Sequence, residues 1–275
     1  VKYNSTYTFY VIPDFILSII QFLQTKPIDI DQTYDSIFKE ILTISSNIYI
    51  VGGVPRDIIL KKIPLDVDIS FDTNYKSLLK LCRKNSWPCP NLKPDGFPYL
   101  RFGETPSLTM EGFFTLKKTF LNNISLDYTA NTLLYDVKNS FIIELTKYSL
   151  NDVINKKIRI PVSEDKFEAW AKDSWIKPLR YFKMIIKGFT PINQETENFI
   201  INYIENNFET IYMEKRKKGL TNIQFYMIRY ITGGEVNDDG SYQYGKQKKK
   251  LLPFLKTMSN YLNTDIMLRI VRFFI

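Results

Sequence analysis

The chain has 275 residues, of which 44% are hydrophobic and 24% charged, with a formal net charge of +8. This composition excludes a disordered chain, and the length suffices for one large domain or two modest ones with a sizeable core. Histidine is absent, which excludes a histidine general base, a histidine-dependent triad and histidine-ligated zinc, and leaves carboxylates, lysines and tyrosines for chemistry.

Cys82 and Cys89 are the two cysteines, too few for a zinc cluster or a disulfide framework, so a reducing compartment is the default expectation. The charge is uneven. Residues 1–150 carry 16 basic and 15 acidic side chains, whereas residues 151–275 carry 21 and 14. A nearly neutral front half and a basic back half point to a polyanion held by the C-terminal part.

Residues 10–24 read as a helix with apolar positions at Phe15, Ile16, Ile19, Ile20 and Leu23. The segment "VIPDFILSIIQFL" is short and contains Pro13 and Asp14, so it is expected to be buried in protein and not in a bilayer. The N-terminus has no basic region followed by an apolar one and a small-residue cleavage site. A soluble intracellular protein without a membrane partner is therefore expected. Abundant Ile, Lys, Asn, Phe and Tyr suit an AT-rich organellar (mitochondrial), parasitic or viral genome, without choosing a compartment.

A second helix is predicted over residues 33–44 and a short buried strand over 48–51. Gly52-Gly53 ends that strand. Pro55 suits the first turn of a helix over 55–62, where its missing N–H costs nothing, and Asp57 follows near the positive helix end. A strand over 65–71, a helix over 74–85 with Leu78, Leu79, Leu81 and Cys82 inward, and a loop over 86–97 come next. "PYLRF" (98–102) and "SLTMEGFF" (107–114) alternate like the strands of a hairpin. Beyond residue 165 the pattern is helical over 165–172, 178–187, 196–213, 220–231 and 247–273, interrupted by an exposed loop from Thr232 to Gly245. No internal repeat is present. The expectation is an α+β fold: an N-terminal helical extension (1–44), a mixed-sheet head (45–162) and an all-helical second domain (163–275).

The stretch "VGGVPRDIILKKIPLDVDIS" (51–70) carries the chemistry. On a strand, Asp66 and Asp68 project from one face, and paired carboxylates suit Mg²⁺ or Mn²⁺. Gly52 and Gly53 let backbone approach an anion, and Arg56 offers a planar fork for phosphate oxygens. A Gly-Gly turn or an Asp-x-Asp pair alone is commonplace. Together, in this order, they are the parts of a triphosphate cradle beside a metal site.

This stretch resembles the head of the tRNA nucleotidyltransferase/poly(A) polymerase family, within the polymerase-β-like nucleotidyltransferases. Gly52, Gly53, Arg56, Asp57, Asp66 and Asp68 match the family's Gly-Gly-x-Val-Arg-Asp and Asp-x-Asp motifs, with Pro55 in place of the usual valine. "SLDYTANTLLYDVKNSFIIEL" (125–145), "NDVINKKIRIP" (151–161) and "KPLRYFKMIIKGF" (177–189) resemble later family segments in the same order. The resemblance covers roughly residues 45–190. It implies a nucleotidyltransferase head followed by a helical neck and body. It also implies Mg²⁺ or Mn²⁺ on the catalytic pair Asp66 and Asp68, and an NTP, with ATP the first candidate. Gly52, Gly53, Arg56, Asp57, Asp127, Asn131 and Arg180 would then bind nucleotide, and RNA, as tRNA or another 3′ end, would be the partner. Glu111 falls where a third acidic residue on a neighbouring strand would assist; an ordinary strand carboxylate is the other reading.

The departures lie in nucleotide selection. The family's arginine pair before Asp127 is Ser125-Leu126, although Asp127, Thr129 and Asn131 remain. Its base-reading acidic pair is Ile176-Lys177, although Pro178, Leu179 and Arg180 remain. Isoleucine cannot hydrogen-bond a base edge, and lysine offers donors where a carboxylate offered acceptors. Ordered C-then-A addition is therefore not expected, and less helical body follows the neck than the family usually carries. Two functions stay open. One is an active metal-dependent RNA nucleotidyltransferase with altered selection, adding A for example. The other is a catalytically silent RNA-binding or structural subunit of a larger ribonucleoprotein assembly. In both, Lys215, Arg216, Lys217 and Lys218 and then Lys248, Lys249 and Lys250 are the expected RNA-backbone contacts, on two basic clusters that would otherwise be solvated helix ends and loop.

Overall fold

The structure is a computed structural model that describes residues 8–27, 31–64, 67–92, 98–102, 108–112, 126–209, 223, 226–232, 235–236, 242–245 and 248–271. The chain divides into two compact units, Val1–Asn155 and Lys156–Ile275.

The first unit is built on an eight-stranded mixed sheet in the order β1-β8-β7-β2-β3-β6-β5-β4. Its strands are β1 (Thr8–Tyr10), β2 (Ile48–Val51), β3 (Val67–Phe71), β4 (Asn91–Leu92), β5 (Pro98–Phe102), β6 (Leu108–Gly112), β7 (Leu133–Asp136) and β8 (Phe141–Glu144). β2 runs antiparallel to both β3 and β7, whereas β3 and β6 are parallel. β5 and β6 pair antiparallel, as the alternation in 98–102 and 107–114 predicts. β2 is apolar throughout because Ile48, Tyr49 and Ile50 are all buried. Along β3, Val67, Ile69 and Phe71 face one buried side, while Asp68 and Ser70 occupy the other and Asp68 is only partly buried.

Among the described residues this unit also contains helices α1 (Pro13–Leu23), α2 (Tyr34–Ile41), α3 (Gly53–Ile59), α4 (Tyr75–Lys84) and α5 (Ser149–Ile154). α1 starts with Pro13 in its first turn and buries Phe15, Ile19 and Leu23, one helical row. Ile20, expected on that face, is exposed together with Leu17. Thr33 caps α2 by accepting from the Ser36 N–H at 3.2 Å, and Asn74 caps α4 by accepting from the Ser77 N–H at 2.9 Å. β1 was not anticipated within residues 1–44. Its three residues lie at the sheet edge and are too few to show an alternating pattern; Tyr10 holds it by donating its hydroxyl to Glu144 at 3.0 Å.

The second unit contains α6 (Phe167–Asp173), α7 (Ile176–Ile186), α8 (Gln194–Asn206), α9 (Leu251–Ser259) and α10 (Thr264–Val271). Its core gathers Trp170, Tyr181, Phe182, Ile200, Ile204, Phe254 and Met258. The expectation of helices alone is corrected by two short ribbons. β9 (Lys157–Ile158) pairs parallel with β10 (Thr190–Pro191), and β11 (Glu235–Val236) pairs antiparallel with β12 (Tyr242–Gln243). Pairings of two residues leave no periodic trace in sequence. The single helix expected over 247–273 is two helices, because Asn263 starts a new one by accepting from the Ile266 N–H at 2.9 Å. No helix among the described residues is long and apolar enough to cross a membrane.

The two thiols provide a direct check of the first unit's packing. Cys82 is buried on α4 and Cys89 is exposed. Burial, with a smaller contribution from the nearby Cys89, pushes the Cys82 thiol up to about 11, so it stays protonated and unreactive at neutral pH. Alkylation of the native protein is expected to modify Cys89 alone, and both cysteines after denaturation, as read by intact mass. Rapid modification of both in the native state would contradict this packing.

Candidate active site

The site begins where β2 turns into α3. Gly52 has φ +73, a left-handed conformation that strains any side-chain-bearing residue. A methyl group placed on Gly52 would meet the Asp68 Oδ2 at 3.8 Å. The Asp68 carboxylate therefore lies beside the glycine turn, which follows from the antiparallel register that sets Val51 opposite Asp68.

Gly53 admits a different group. A Cβ there would meet the Arg56 Nη2 at 3.0 Å and Cζ at 3.6 Å, so the guanidinium folds back over the start of α3. Arg56 is only 5% exposed. Its Nε donates to Asp57 Oδ1 at 2.7 Å and its Nη2 lies 2.7 Å from the same oxygen. Its Nη1 donates to Asn131 Oδ1. Asn131 Nδ2 in turn donates to Asp127 Oδ2 at 2.9 Å, and Asp127 Oδ1 accepts from the Tyr128 N–H at 2.8 Å. A chain of hydrogen bonds thus joins Asp57, Arg56, Asn131 and Asp127. Two segments that the sequence separates by 75 positions become one rigid wall.

That wall is anchored from behind. Thr129–Asn131 forms a 3₁₀ turn, and Thr129 Oγ1 donates to the buried Asp152 Oδ2 at 2.6 Å. Thr132 Oγ1 lies 2.9 Å from Thr146 Oγ1 and 2.7 Å from Ser149 Oγ, all three buried. α5, which carries Ser149 and Asp152, packs against both this turn and α3. Sequence reading did not single out Asp152, Thr132 or Ser149. Only their spacing behind the Asp127–Asn131 segment could have drawn attention to them.

Of the remaining expected site residues, Asp66 lies outside the described residues. Glu111 stands on β6 opposite Ser70, two positions along from the Asp68–Thr109 pair. Lys215, Arg216, Lys217 and Lys218 also lie outside the described residues. In the second unit, Arg180 is half-buried on α7. Lys248–Lys250 form an exposed 3₁₀ turn with the Lys248 ammonium 4.8 Å from the Tyr244 ring centroid. Lys177 is only 5% exposed: its ammonium donates to Asp173 Oδ2 at 2.5 Å and lies 5.7 Å from the Trp170 ring centroid. Leu126, where the resemblance would place an arginine, packs into an apolar cluster with Tyr49, Leu134, Ile143 and Leu145.

The partly buried Asp68 carboxylate beside the turn offers oxygen, the ligand type that a hard divalent cation takes, and supplies one of the several ligands such an ion needs. No group of three or more acidic or cysteine side chains gathers among the described residues.

The sequence matches no protein-family model and no curated protein. Solved structures share its fold. A CCA-adding enzyme in complex with CTP matches at TM-score 0.56 and 15% identity, over 94% of this chain and 58% of that one. The Thermotoga maritima CCA-adding enzyme complexed with tRNA matches at TM-score 0.55 and 14% identity, over 82% and 56%. A tRNA nucleotidyltransferase complexed with a primer tRNA and an incoming ATP analogue matches at TM-score 0.53 and 20% identity, over 82% and 59%. The chain spans less than three fifths of each of these structures. What the chain shares with these structures is a mixed helix-and-sheet fold.

Proposed function

We propose that the protein is a metal-dependent RNA nucleotidyltransferase that extends an RNA 3′ end, with a nucleotide selection other than ordered C-then-A addition. The observation that carries this reading is the Asp68 carboxylate beside the Gly52 turn, the placement that phosphoryl transfer on this fold needs. Asp66 and Asp68 would hold Mg²⁺ or Mn²⁺, with Glu111 as the third acid on the adjacent strand. Bound there, the divalent ion supplies charge neutralisation at the triphosphate and acidifies the RNA 3′-hydroxyl.

The chain's own residues do the rest. Gly52 and Gly53 leave room for the triphosphate against backbone. Arg56, held by Asp57 and Asn131, fixes the turn and adds positive charge beneath it. Asp127 and Asn131 face the nucleotide as one preorganised wall, so little reorganisation is needed when substrate arrives. Arg180, which the resemblance assigns to nucleotide, stands half-buried on α7. ATP is the first candidate substrate on the resemblance, and Ile176 and Lys177 in place of the base-reading acceptors argue only against ordered C-then-A addition. The basic clusters at 215–218 and 248–250 would hold RNA phosphates, giving an affinity that falls steeply with salt.

The test is extension of an end-labelled RNA with Mg²⁺ or Mn²⁺ and each NTP in turn. The reading expects nucleotide-dependent extension that a chelator stops. A protein that extends no RNA with any nucleotide and binds no NTP in the presence of metal would overturn it. One observation favours the second reading, a silent RNA-binding subunit of a larger ribonucleoprotein. Leu126 fills the place of a cation with core packing, so part of the anion site has been converted to structure. That reading expects RNA or complex co-purification without extension.

A further inference from the structure

We propose that Lys147 and Tyr148 form a stacking platform for an unpaired base of single-stranded RNA. The proposal rests on the RNA-extension reading and names one contact for its RNA strand.

Among the described residues, five that are not glycine have positive φ: Lys61, Ser86, Ser140, Tyr148 and Lys156. Tyr148 has the largest value, +80, and is the one aromatic residue of the five. A glycine would take this left-handed conformation without steric cost, whereas a tyrosine is strained in it. Strain of this kind persists where the surrounding structure enforces it, and it marks functional positions.

The enforcement is visible on both sides. Thr146 and Ser149 are buried, their hydroxyls 2.7 Å apart and both bonded to Thr132. The Ser149 N–H and hydroxyl both donate to the Thr146 carbonyl, at 3.2 and 2.7 Å. This clip ties residues 146 and 149 inward and turns the two residues between them out. Tyr148 is 42% exposed although its ring is large and apolar, and the exposed Lys147 holds its ammonium 4.9 Å from the ring centroid.

The platform shares its scaffold with the site. The Tyr148 carbonyl accepts from the Asp152 N–H at 2.7 Å, and the Asp152 carboxylate accepts from Thr129 at 2.6 Å. Thr129 belongs to the turn that carries Asn131 to Arg56. A chain of hydrogen bonds therefore runs from the Tyr148 backbone to the wall of the candidate site.

An exposed aromatic face with a neighbouring ammonium matches single-stranded RNA: the ring stacks on any base and the ammonium meets the adjoining phosphate. Bases inside a duplex present no free face to it.

Binding of the full-length protein to a fluorescently labelled single-stranded oligoadenylate, and to a duplex of the same length, tests the proposal, with thermal melting measured in parallel. Tyr148→Gly removes the ring and relieves the strain. It is expected to melt no lower than the parent and to lose about tenfold in single-strand affinity. Tyr148→Phe is expected to bind like the parent, and Lys147→Gln to weaken binding less than Tyr148→Gly while flattening the salt dependence. Tyr148→Gly that binds the single strand like the parent would overturn the platform and leave the RNA-extension reading standing. A parent protein that binds neither RNA would also overturn the platform, whereas the RNA-extension reading falls only with the extension assay.

Discussion

Asp68→Asn is expected to lower the rate of RNA extension by roughly 10³-fold or more, the consequence of losing several kcal/mol of charge stabilisation at a metal-assisted phosphoryl transfer. Fold loss is not the expected cause. Asp68 is partly exposed on β3, its backbone sits in register between Val51 and Thr109, and asparagine matches it in shape. What changes is the charge next to the glycine turn. The measurement is the single-turnover rate at saturating nucleotide and Mg²⁺, with a melting curve as control. A drop of only a few-fold in a well-folded variant would show that the carboxylate plays no part in the chemistry. Asp66→Asn should fall alongside it, since a cation shared by two carboxylates depends on both.

Arg56→Ala is expected to produce the largest stability loss of any change near the site, about 3 kcal/mol, because it leaves a nearly buried carboxylate without its cation. Arg56 and Asp57 side chains are 6% and 14% exposed, and Asn131 loses its donor in the same step. Arg56→Lys should recover only part of the loss, since an ammonium cannot bridge Asp57 and Asn131 as the planar fork does. A double-mutant cycle between Arg56→Ala and Asn131→Ala should show a coupling of about 1–2 kcal/mol in urea unfolding of the unit that contains them. Additive losses would mean that the two segments stand independently, and the preorganised wall would have to be abandoned. Loss of Arg56 would on this account depress activity through position as well as through charge, so Arg56→Lys, which keeps the charge, should lower kcat even where nucleotide affinity is kept.

The order β2, glycine turn, α3, β3 was legible because each step has a local cause. The Ile48–Val51 run is apolar throughout, Gly52 permits the reversal, and Pro55 tolerates a first helical turn. The helix begins at Gly53, two residues earlier than expected. Proline without an N–H fits any of the first positions, so it marks a helix start only loosely.

Less visible was what the motifs do to one another. Arg56 reads from sequence as a fork for phosphate. In the fold it is also the strut between two walls of the site, and nothing local signals a partner 75 residues away. By sequence alone, Lys177 offers donors to a base. Its pairing with Asp173 was available in the sequence as an i, i+4 pair of opposite charge. The left-handed Tyr148 had no sequence signal at all, because its conformation is imposed by Thr146 and Ser149 closing on Thr132. Spacing of residue types suggests a chemistry; tertiary hydrogen bonds tie Arg56, Asp57, Asn131 and Asp127 to one another in ways that spacing does not signal.

The central claim is that the carboxylate beside the double glycine grips a divalent ion under a triphosphate. Anomalous diffraction from a crystal soaked in Mn²⁺ and a non-hydrolysable ATP analogue tests it most directly. The account predicts a manganese peak bonded to Asp66 and Asp68, with triphosphate density lying over Gly52 and Gly53. A manganese peak elsewhere, or nucleotide bound with no manganese at Asp68, would contradict it.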